Sequence, residues 1–358
     1  MFVRNIAVSG ALALMVALAG CGDRDNGGKT DESSAERVSE ALDICAEGRG
    51  AFANAVCDNN TLVGLDNEVR ETLVAESASV SDAGAAMLVQ NQTRWREAAR
   101  IACGIIDPES ALTPEQTSCL ESEFRARIEE AAGAVEQAGG YVFQRMEVVD
   151  ATPVTAEAAE AVGLTGDDVP TAITRDIRFP RIDGPQTPQI QRFNELVAQS
   201  PQFALGDATN ESLDYRIAFA GPELISVRFD SSSDTLGAAH GNTTSRAVNV
   251  LMREGRPLAE ADVFRADAAW QDYLTQRAVA EITRQFREDG FVPPERDVRE
   301  SATKPHLWLI TEDGLVLLFP PYSFGAPYVM GGTEVTIPWR DLRPYLNPAA
   351  PAPVRAPA

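Results

Sequence analysis

Four of the five cysteines fall in one short part of the chain, at Cys45, Cys57, Cys103 and Cys119. In an exported protein, an even set of cysteines confined to one small region predicts two disulfide bonds. Zinc binding is the alternative, but the four form no C-x-x-C pair, and both histidines lie in the other half of the chain. We therefore expect a small disulfide-linked domain, with no metal and no other cofactor.

The sequence around these cysteines has a helical pattern from about residue 38 to residue 137. One apolar stripe at helical spacing is formed by Leu62, Leu65, Val69 and Leu73. Residues 85–102 predict a second helix. A third begins at Thr113, which precedes a proline at the first turn and a glutamine at the capping-box position. Three short helices bury little apolar surface, so two disulfides would compensate for a small core.

The helical pattern also restricts how the cysteines can pair. If residues 46–56 are helical, Cys45 and Cys57 lie about 18 Å apart along the axis at a rise of about 1.5 Å per residue. A disulfide requires Cα atoms within roughly 7 Å, so these two should not pair with each other. The sequence leaves two pairings open: 45–103 with 57–119, or 45–119 with 57–103.

The N-terminus has the layout of an export signal. Arg4 precedes a mainly apolar run over residues 6–18, which is too short to span a bilayer and ends in Leu18-Ala19-Gly20-Cys21. These four residues resemble the lipobox of bacterial lipoproteins; an ordinary signal peptide with a chance cysteine is the alternative. We expect a signal peptide over residues 1–20 and a palmitate-bearing Cys21.

A flexible tether is expected to follow the acylated cysteine, over residues 21–37, because residues 22–37 contain no apolar side chain larger than alanine. Gly22, in place of aspartate, is typical of lipoproteins passed to the outer membrane. We therefore expect the protein on the periplasmic side of the cell envelope, at the outer membrane. No second apolar stretch approaches membrane-spanning length, so contact with the membrane should be through the lipid only.

The net charge is strongly negative. It is −22 for the whole chain and becomes −23 once Arg4 leaves with the signal peptide. Such a charge argues against nucleic acid or anionic lipid as a partner, and favours either a basic partner or simple solubility.

A second, larger domain is expected at residues 171–347. Residues 138–170 are rich in alanine, glycine and threonine and predict a linker, and residues 348–358 predict a disordered tail. Alternating and continuous apolar runs predict strands at 172–182, 213–219, 224–230, 245–252, 306–311, 315–319 and 333–338. Helices are predicted at 187–199, 266–286 and 339–346. The fold class is therefore a helical domain followed by an α+β domain with a mainly antiparallel sheet.

The helical region resembles the LprI-type lysozyme-inhibitor module over residues 43–130. The resemblance rests on Asp43-Ile44-Cys45, Val56-Cys57-Asp58, Leu62, Leu65-Asp66, Gln92-x-x-Trp95, Arg100-x-x-Cys103, Cys119-Leu120 and Arg125-x-Arg127-Ile128. It implies a small helical fold and a role in binding lysozyme.

The second domain resembles the extracytoplasmic domain of RsiV-type anti-sigma factors and PdaC-type deacetylases. The resemblance rests on Ala239-His240-Gly241, Arg256-Pro257-Leu258, Asp262-Val263-Phe264, Tyr322-Ser323-Phe324-Gly325, residues 326–331 and 334–338, Asp341-Leu342 and Tyr345-Leu346. In RsiV-like proteins this region binds lysozyme. Nothing in the chain corresponds to the deacetylase catalytic module or to the anti-sigma segment.

Catalytic patterns are weak. His240 lies in a glycine-flanked loop near the run 231–234, so a hydrolytic trio is conceivable, whereas a histidine that closes a turn is the simpler interpretation. The chain contains no GxSxG, Walker, dinucleotide or HExxH motif. We therefore expect no enzyme.

Together these patterns predict an envelope lipoprotein that binds, and inhibits or senses, a basic cell-wall-active protein such as lysozyme. A non-catalytic peptidoglycan- or glycan-binding lipoprotein is the alternative, because aromatic residues concentrate between positions 308 and 339. The glycine-rich segments 237–242 and 325–332 are the candidate binding loops. The candidate binding residues are His240, Gly241, Tyr322, Gly325, Tyr328 and Gly331.

Overall fold

The computed structural model describes residues 33–46, 50–199, 208–267 and 269–355. The predicted signal peptide, the predicted acylation site Cys21 and most of the predicted tether lie outside these residues. Within the described ranges, no helix combines the length and the apolar character needed to cross a membrane.

Five helices occupy the N-terminal region described: α1 Ser34–Leu42, α2 Ala51–Cys57, α3 Asn60–Ser77, α4 Asp82–Ala102 and α5 Pro114–Ala131. The predicted stripe on α3 faces inward, and Leu62 and Val69 are fully buried. Thr113 caps α5 in a capping box with Gln116, as the sequence predicts. The edge of Trp95 meets Phe124 at a ring distance of 5.1 Å, so aromatic packing joins α4 to α5.

The disulfides join Cys45 to Cys57 and Cys103 to Cys119, each with a Cα–Cα distance of 5.7 Å. Both predicted pairings are therefore wrong. The premise of a helix over residues 46–56 fails, because Cys45 lies in a turn and α2 begins only at Ala51. The chain can thus reverse direction between the two cysteines, and each disulfide closes a local loop.

A seven-stranded sheet follows, with its strands in sequence order. Its only parallel pair among the described residues is β3–β4, so the expected α+β class with a mainly antiparallel sheet is confirmed. The strands are β1 Val135–Ala138, β2 Tyr141–Pro153, β3 Ala172–Ile182, β4 Thr209–Ala220, β5 Leu224–Thr235, β6 Asn242–Leu251 and β7 Arg256–Pro257. Two helices, α6 Ala156–Ala161 and α7 Pro188–Ala198, lie between these strands in the chain.

The predicted linker over 138–170 is wrong for much of its length. Strand β2 occupies residues 141–153 and pairs with β3 from Phe143 to Pro153. Phe143 and Gln144 are fully buried. The alanine- and glycine-rich composition that predicted a linker belongs to α6 and the turns around it. The strand before them, β2, is instead rich in apolar and β-branched residues.

The C-terminal part adds a three-stranded antiparallel sheet in the order β10-β9-β8. The helices and strands of this C-terminal part are α8 Glu260–Val263, α9 Trp270–Gln285, α10 Glu295–Ala302, β8 Trp308–Ile310, β9 Gly314–Phe319, β10 Thr333–Pro338 and α11 Trp339–Leu342. The backbone N–H of Ile310 donates to Ser226 Oγ at 3.1 Å, and Asn249 Nδ2 donates to the Trp308 carbonyl at 2.7 Å. These bonds hold the small sheet against strands β5 and β6.

Both predicted flexible ends are shorter than expected. Helix α1 begins at Ser34, inside the predicted tether, because Ser33 and Glu36 form a capping box. In the predicted tail, Val354 is buried and Ala352 donates its backbone N–H to Glu223 at 2.9 Å. The described part of the tail, up to residue 355, is therefore packed against the domain.

Candidate functional site

Two of the loops singled out by the sequence meet in the structure: residues 236–241, between β5 and β6, and residues 320–332, between β9 and β10. The His240 ring stacks on Tyr328, with ring centroids 4.5 Å apart and planes inclined by 16°. The Tyr322 ring lies 5.6 Å from Tyr328. We call His240, Tyr322 and Tyr328 the aromatic tip. Tyr322 is 57% exposed and the adjacent Val329 is 90% exposed, so this surface faces solvent.

The second loop is held from below by Phe324. This side chain is fully buried and contacts Phe286, Phe291 and Phe319 at ring distances of 5.7 to 6.2 Å. The carbonyl of Ser323 accepts a hydrogen bond from Ser301 Oγ at 2.6 Å. Because the middle of the loop is fixed in this way, the tyrosines on either side of Phe324 are presented by a rigid base.

Backbone conformation in this loop is unusual. Tyr322 has φ +68°, the one positive φ of a non-glycine residue in the described part of the chain. Such conformations are costly for residues with a Cβ, and they cluster at functional sites. Gly325 has φ +79°, and a Cβ there would lie 2.8 Å from both Asp297 Oδ2 and Pro294 Cδ. Gly331, at φ +71°, meets nothing within 4 Å.

The β5–β6 loop is shaped by two glycines. A Cβ on Gly237 would lie 2.9 Å from Val162, and one on Gly241 would lie 2.9 Å from the Ser233 carbonyl. Nδ1 of His240 is 2.8 Å from the carbonyl oxygen of Gly241. Within the described residues no hydrogen bond joins the His240 ring to the run 231–234, so the geometry of a hydrolytic trio is not formed here. The other histidine, His306, lies in a short turn before β8.

A polar pocket of about 230 Å³ adjoins these loops. Its walls are residues 243–245 of β6, Arg228 of β5, and residues 318–321 and 332–334. Nε of Arg228 donates to Asp230 at 2.7 and 2.8 Å, and its Nη1 donates to Glu334. Ser245 Oγ donates to Asp230 at 2.5 Å.

The charged groups at this pocket are Arg228 and Glu334 on its wall and Asp230, which pairs with Arg228 beside it. Arg228 is only 14% exposed, whereas Asp230 and Glu334 are 49% and 41% exposed. Burial opposes the charge of Arg228, but its hydrogen bonds to Glu334 and Asp230 outweigh this and raise the pKa of the guanidinium. The three side chains together carry one net negative charge. The two carboxylates are more accessible to solvent than the guanidinium. The pocket therefore favours a cation or a neutral polar group over an anion.

The structure thus brings together the loops that carry His240, Tyr322 and Tyr328, and the same loops contain Gly237, Gly241, Gly325 and Gly331. Sequence reasoning missed Arg228, Asp230 and Glu334. The available signal was an Arg–Asp pair two residues apart in a strand, which places both on one face. Within the described ranges no group of three or more His, Cys, Asp or Glu side chains is arranged to hold a metal ion.

Several of the residues that carried the LprI-type resemblance, Gln92, Trp95 and Arg127 among them, are buried and have internal roles. Arg127 is 2% exposed, donates from Nε to Gln92 Oε1 at 2.9 Å, and lies 5.5 Å from the Trp95 ring centroid. Its guanidinium also meets the buried Glu147 of β2, with Nη1–Oε1 at 3.0 Å. Nη2 lies 2.8 Å from Oε2, an ionic contact without hydrogen-bond alignment. These side chains therefore fasten the helical region to the sheet.

A second buried ion pair ties the helices to one another. Arg96 donates to both oxygens of Asp66, at 2.7 and 2.8 Å, and to the Leu42 carbonyl at 2.7 Å. Arg96 thereby links α3 and α4 to the C-terminal end of α1. Asp66, one of the LprI-like positions, is 1% exposed and unavailable to a partner.

Residues 261–340 match the family model described as a protein of unknown function, DUF3298. The chain thus carries a C-terminal DUF3298 domain, which begins at α8 and includes the loop with Tyr322 and Tyr328. Among curated proteins, none matches this chain.

Two solved structures from the same family are similar to this chain. A member from Bacteroides fragilis is 16% identical, with a TM-score of 0.41, over 59% of this chain and 96% of that chain. A member from Pseudomonas aeruginosa is 16% identical, with a TM-score of 0.41, over 58% of this chain and 95% of that chain.

Proposed function

We propose that this is an envelope lipoprotein, anchored through Cys21 on the periplasmic side of the outer membrane, that binds a basic cell-wall-active protein such as a c-type lysozyme. The observation that carries the proposal is the aromatic tip, which is exposed where two loops meet, one of them anchored by the buried Phe324, and which has carboxylates nearby. The resemblance of both regions to lysozyme-binding modules supports the same partner class.

The aromatic tip has the properties of a binding hot spot. Tyrosine is enriched among the residues that contribute most to protein interfaces, because it supplies a large apolar area and a polar end at a low entropic cost. Tyr322 and Tyr328 lie on a loop fixed by the buried Phe324. Little conformational freedom would be lost when a partner covers such a loop, which favours affinity.

Charge favours a basic partner. Asp234 lies just before the loop that carries His240, and Glu334 lies just after the loop that carries Tyr322 and Tyr328. Both carboxylates are exposed at the surface, whereas Arg228, which pairs with Glu334, is mostly buried. The whole chain adds a net charge of −22, which would attract a cationic protein over a distance. Association should therefore be faster at low ionic strength and slow down as salt is added.

The test measures binding of c-type lysozyme to the purified full-length protein at low and raised ionic strength, together with the cell-wall-degrading activity of the lysozyme. We expect Tyr322→Ala to weaken binding by about thirtyfold, the effect of a hot-spot residue worth about 2 kcal/mol. Ile106→Ala is the matched control, because Ile106 is an exposed apolar residue of the helical region. Absence of lysozyme binding at low ionic strength would rule the proposal out.

A glycan-binding role is the second candidate, and the His240–Tyr328 stack next to a polar pocket favours it. Aromatic surfaces and a few converging polar groups are what small-molecule sites combine. Retention of the protein on insoluble peptidoglycan, lost in Tyr328→Ala and without any effect on lysozyme, would promote this function above the first.

A further inference from the structure

Strand β6 has an unpaired edge beside the candidate site. On one side it pairs with β5 along its whole length, from Asn242 to Leu251. On the other side its only strand partner in the described chain is β7, which pairs at Val250 and Leu251. The first part of β6 therefore has no neighbouring strand on that side.

The register shows which backbone groups point outward. Met252 donates its N–H to the Glu223 carbonyl at 2.8 Å, so this pair, which continues the register, is a hydrogen-bonded one. Hydrogen-bonded pairs alternate along an antiparallel ladder, so Thr244 bonds to β5 and its neighbours Thr243 and Ser245 point away from it. Asn249 lies four positions after Ser245, so its backbone groups point to the same side of β6. Its carbonyl accepts a hydrogen bond from the backbone N–H of Leu258 on the outer side, which agrees with this assignment.

These outward groups are accessible. Asn242, Thr243 and Thr244 are exposed and Ser245 is half-buried, whereas Ala247, further along the strand, is buried. No backbone hydrogen bond in the described chain uses the outer N–H or C=O groups of Thr243 or Ser245. Four polar groups in a row are thus available to an extended chain.

The edge also lacks the usual protection. Proteins commonly guard an edge strand with a lysine, a proline or a β-bulge, which prevents pairing with other chains. Residues 242–245 are Asn-Thr-Thr-Ser, and the β5–β6 register has no shift. An exposed edge of this kind is the structure used in β-augmentation, in which a partner peptide adds a strand.

The polar pocket lies directly beside this edge. Thr243 and Ser245 belong to both, Arg228 and Glu334 are the charged residues of the pocket wall, and Asp230, paired with Arg228 beside the pocket, brings the three side chains to one net negative charge. Side chains of an added strand alternate between its two faces, so every second one would point toward the pocket. A volume of about 230 Å³ suits one long side chain, and the acids make a basic side chain the best fit.

We propose that the outer edge of β6 at Thr243–Ser245 binds an extended basic segment of the partner protein as an additional β-strand, with one lysine or arginine side chain directed into the pocket toward Glu334. The class of partner rests on the proposed function, and the geometry of the edge is independent of it.

The first measurement is amide hydrogen exchange of the full-length protein, with and without c-type lysozyme. The outward amides of Thr243 and Ser245 should become protected, while that of Thr244, already bonded to β5, should change little. The same measurement with an alternating Thr–Lys peptide, and with a Thr–Glu peptide as its charge control, tests the edge without lysozyme.

Substitutions then separate the edge from the fold. Thr243→Pro removes an outward N–H and leaves the β5 ladder intact, so we expect an unchanged melting temperature and about tenfold weaker binding. Thr244→Pro removes an inward N–H and should instead lower the melting temperature. Glu334→Gln should weaken binding of the Thr–Lys peptide by about tenfold, whereas Glu312→Gln, the same charge change at the other end of β9, should not.

The outcomes distinguish the two proposals. If lysozyme binds but Thr243→Pro and the outward amides are unaffected, the edge inference is wrong and the proposed function stands. If lysozyme does not bind but the Thr–Lys peptide binds and protects the amides of Thr243 and Ser245, the edge inference stands and lysozyme is not the partner. If neither binds, both are wrong. Protection that appears without ligand and rises with protein concentration would mean that a second copy occupies the edge, which also overturns the inference.

Discussion

The buried pair of Arg127 and Glu147 should be the most sensitive link between the helical region and the sheet. Each side chain is 2% exposed, and the pair joins α5 to β2. Replacing Arg127 with methionine leaves a carboxylate buried without its counter-charge, and also leaves Gln92 Oε1 without its donor. Breaking a buried ion pair from one side costs about 3–5 kcal/mol.

That loss is large compared with the stability of an ordinary domain, about 5–15 kcal/mol. Glu147→Leu should cost a similar amount, because it leaves the guanidinium buried. The double variant removes both charges, and apolar replacement of a whole buried pair is often nearly neutral. The remaining unpaired Gln92 oxygen should then cost about 1–2 kcal/mol, so the double variant should be more stable than either single variant.

The assay is guanidinium unfolding with the disulfides intact, followed by tryptophan fluorescence, since Trp95 lies beside Arg127. Arg192→Met is the control, because Arg192 and Glu195 are a half-exposed pair on one helix and should contribute less than about 0.5 kcal/mol. If the losses of the two single variants add within about 0.5 kcal/mol in the double variant, the two residues are not coupled and the reasoning is refuted.

Three further outcomes follow from the structure. Burial alone would raise the pKa of Asp183, but hydrogen bonds from Ser81 and from a neighbouring arginine hold it below its ordinary value. The stability that this carboxylate contributes is therefore fully present above its ordinary pKa of about 4 and is lost as the pH falls through its lowered native pKa, so Asp183→Asn should destabilise the protein most at pH 7 and progressively less in unfolding at lower pH. Gly325→Ala should lower the free energy of unfolding by more than Gly331→Ala, which bears only the positive-φ cost of about 1 kcal/mol, and equal losses in thermal unfolding would contradict the close approach described above. Peptide mapping without reduction should recover the two local disulfides, and removing either pair of cysteines should cost about 3 kcal/mol in chemical unfolding; recovery of a bridge between the two loops would contradict the structure.

Local sequence patterns were sufficient to predict those helices and strands whose conformation depends mainly on their own residues. The strands at 172–182 and 333–338 have the predicted bounds, and Thr113 caps the N-terminus of α5 as its capping box indicates. Strand β2 was not predicted, because the apolar alternation of residues 141–149 is weak and the surrounding composition is typical of a linker. The wrong disulfide pairing had a similar cause, because one assumed helix between Cys45 and Cys57 excluded the pairing that a turn permits.

The candidate site, like the fold, was predictable only in part from the sequence. The glycine-flanked motifs predict His240, Tyr322 and Tyr328 as candidate binding residues, and the proposed partner class rests on charge and resemblance. The sequence could not reveal that Arg228 pairs with both Asp230 and Glu334 beside a pocket, because Glu334 lies 106 positions from Arg228 in the chain.

By itself, the sequence determined the number of cysteines, the acidic charge and most helices and strands, because each depends on composition or on neighbouring residues, and on the same local basis it predicts an export signal. Only the tertiary structure decided the stacking of His240 on Tyr328, the internal role of Gln92 and Arg127, and the unpaired edge of β6. Those features depend on which distant segments become neighbours when the two sheets and the helices bury their apolar faces together, and no local pattern encodes that choice.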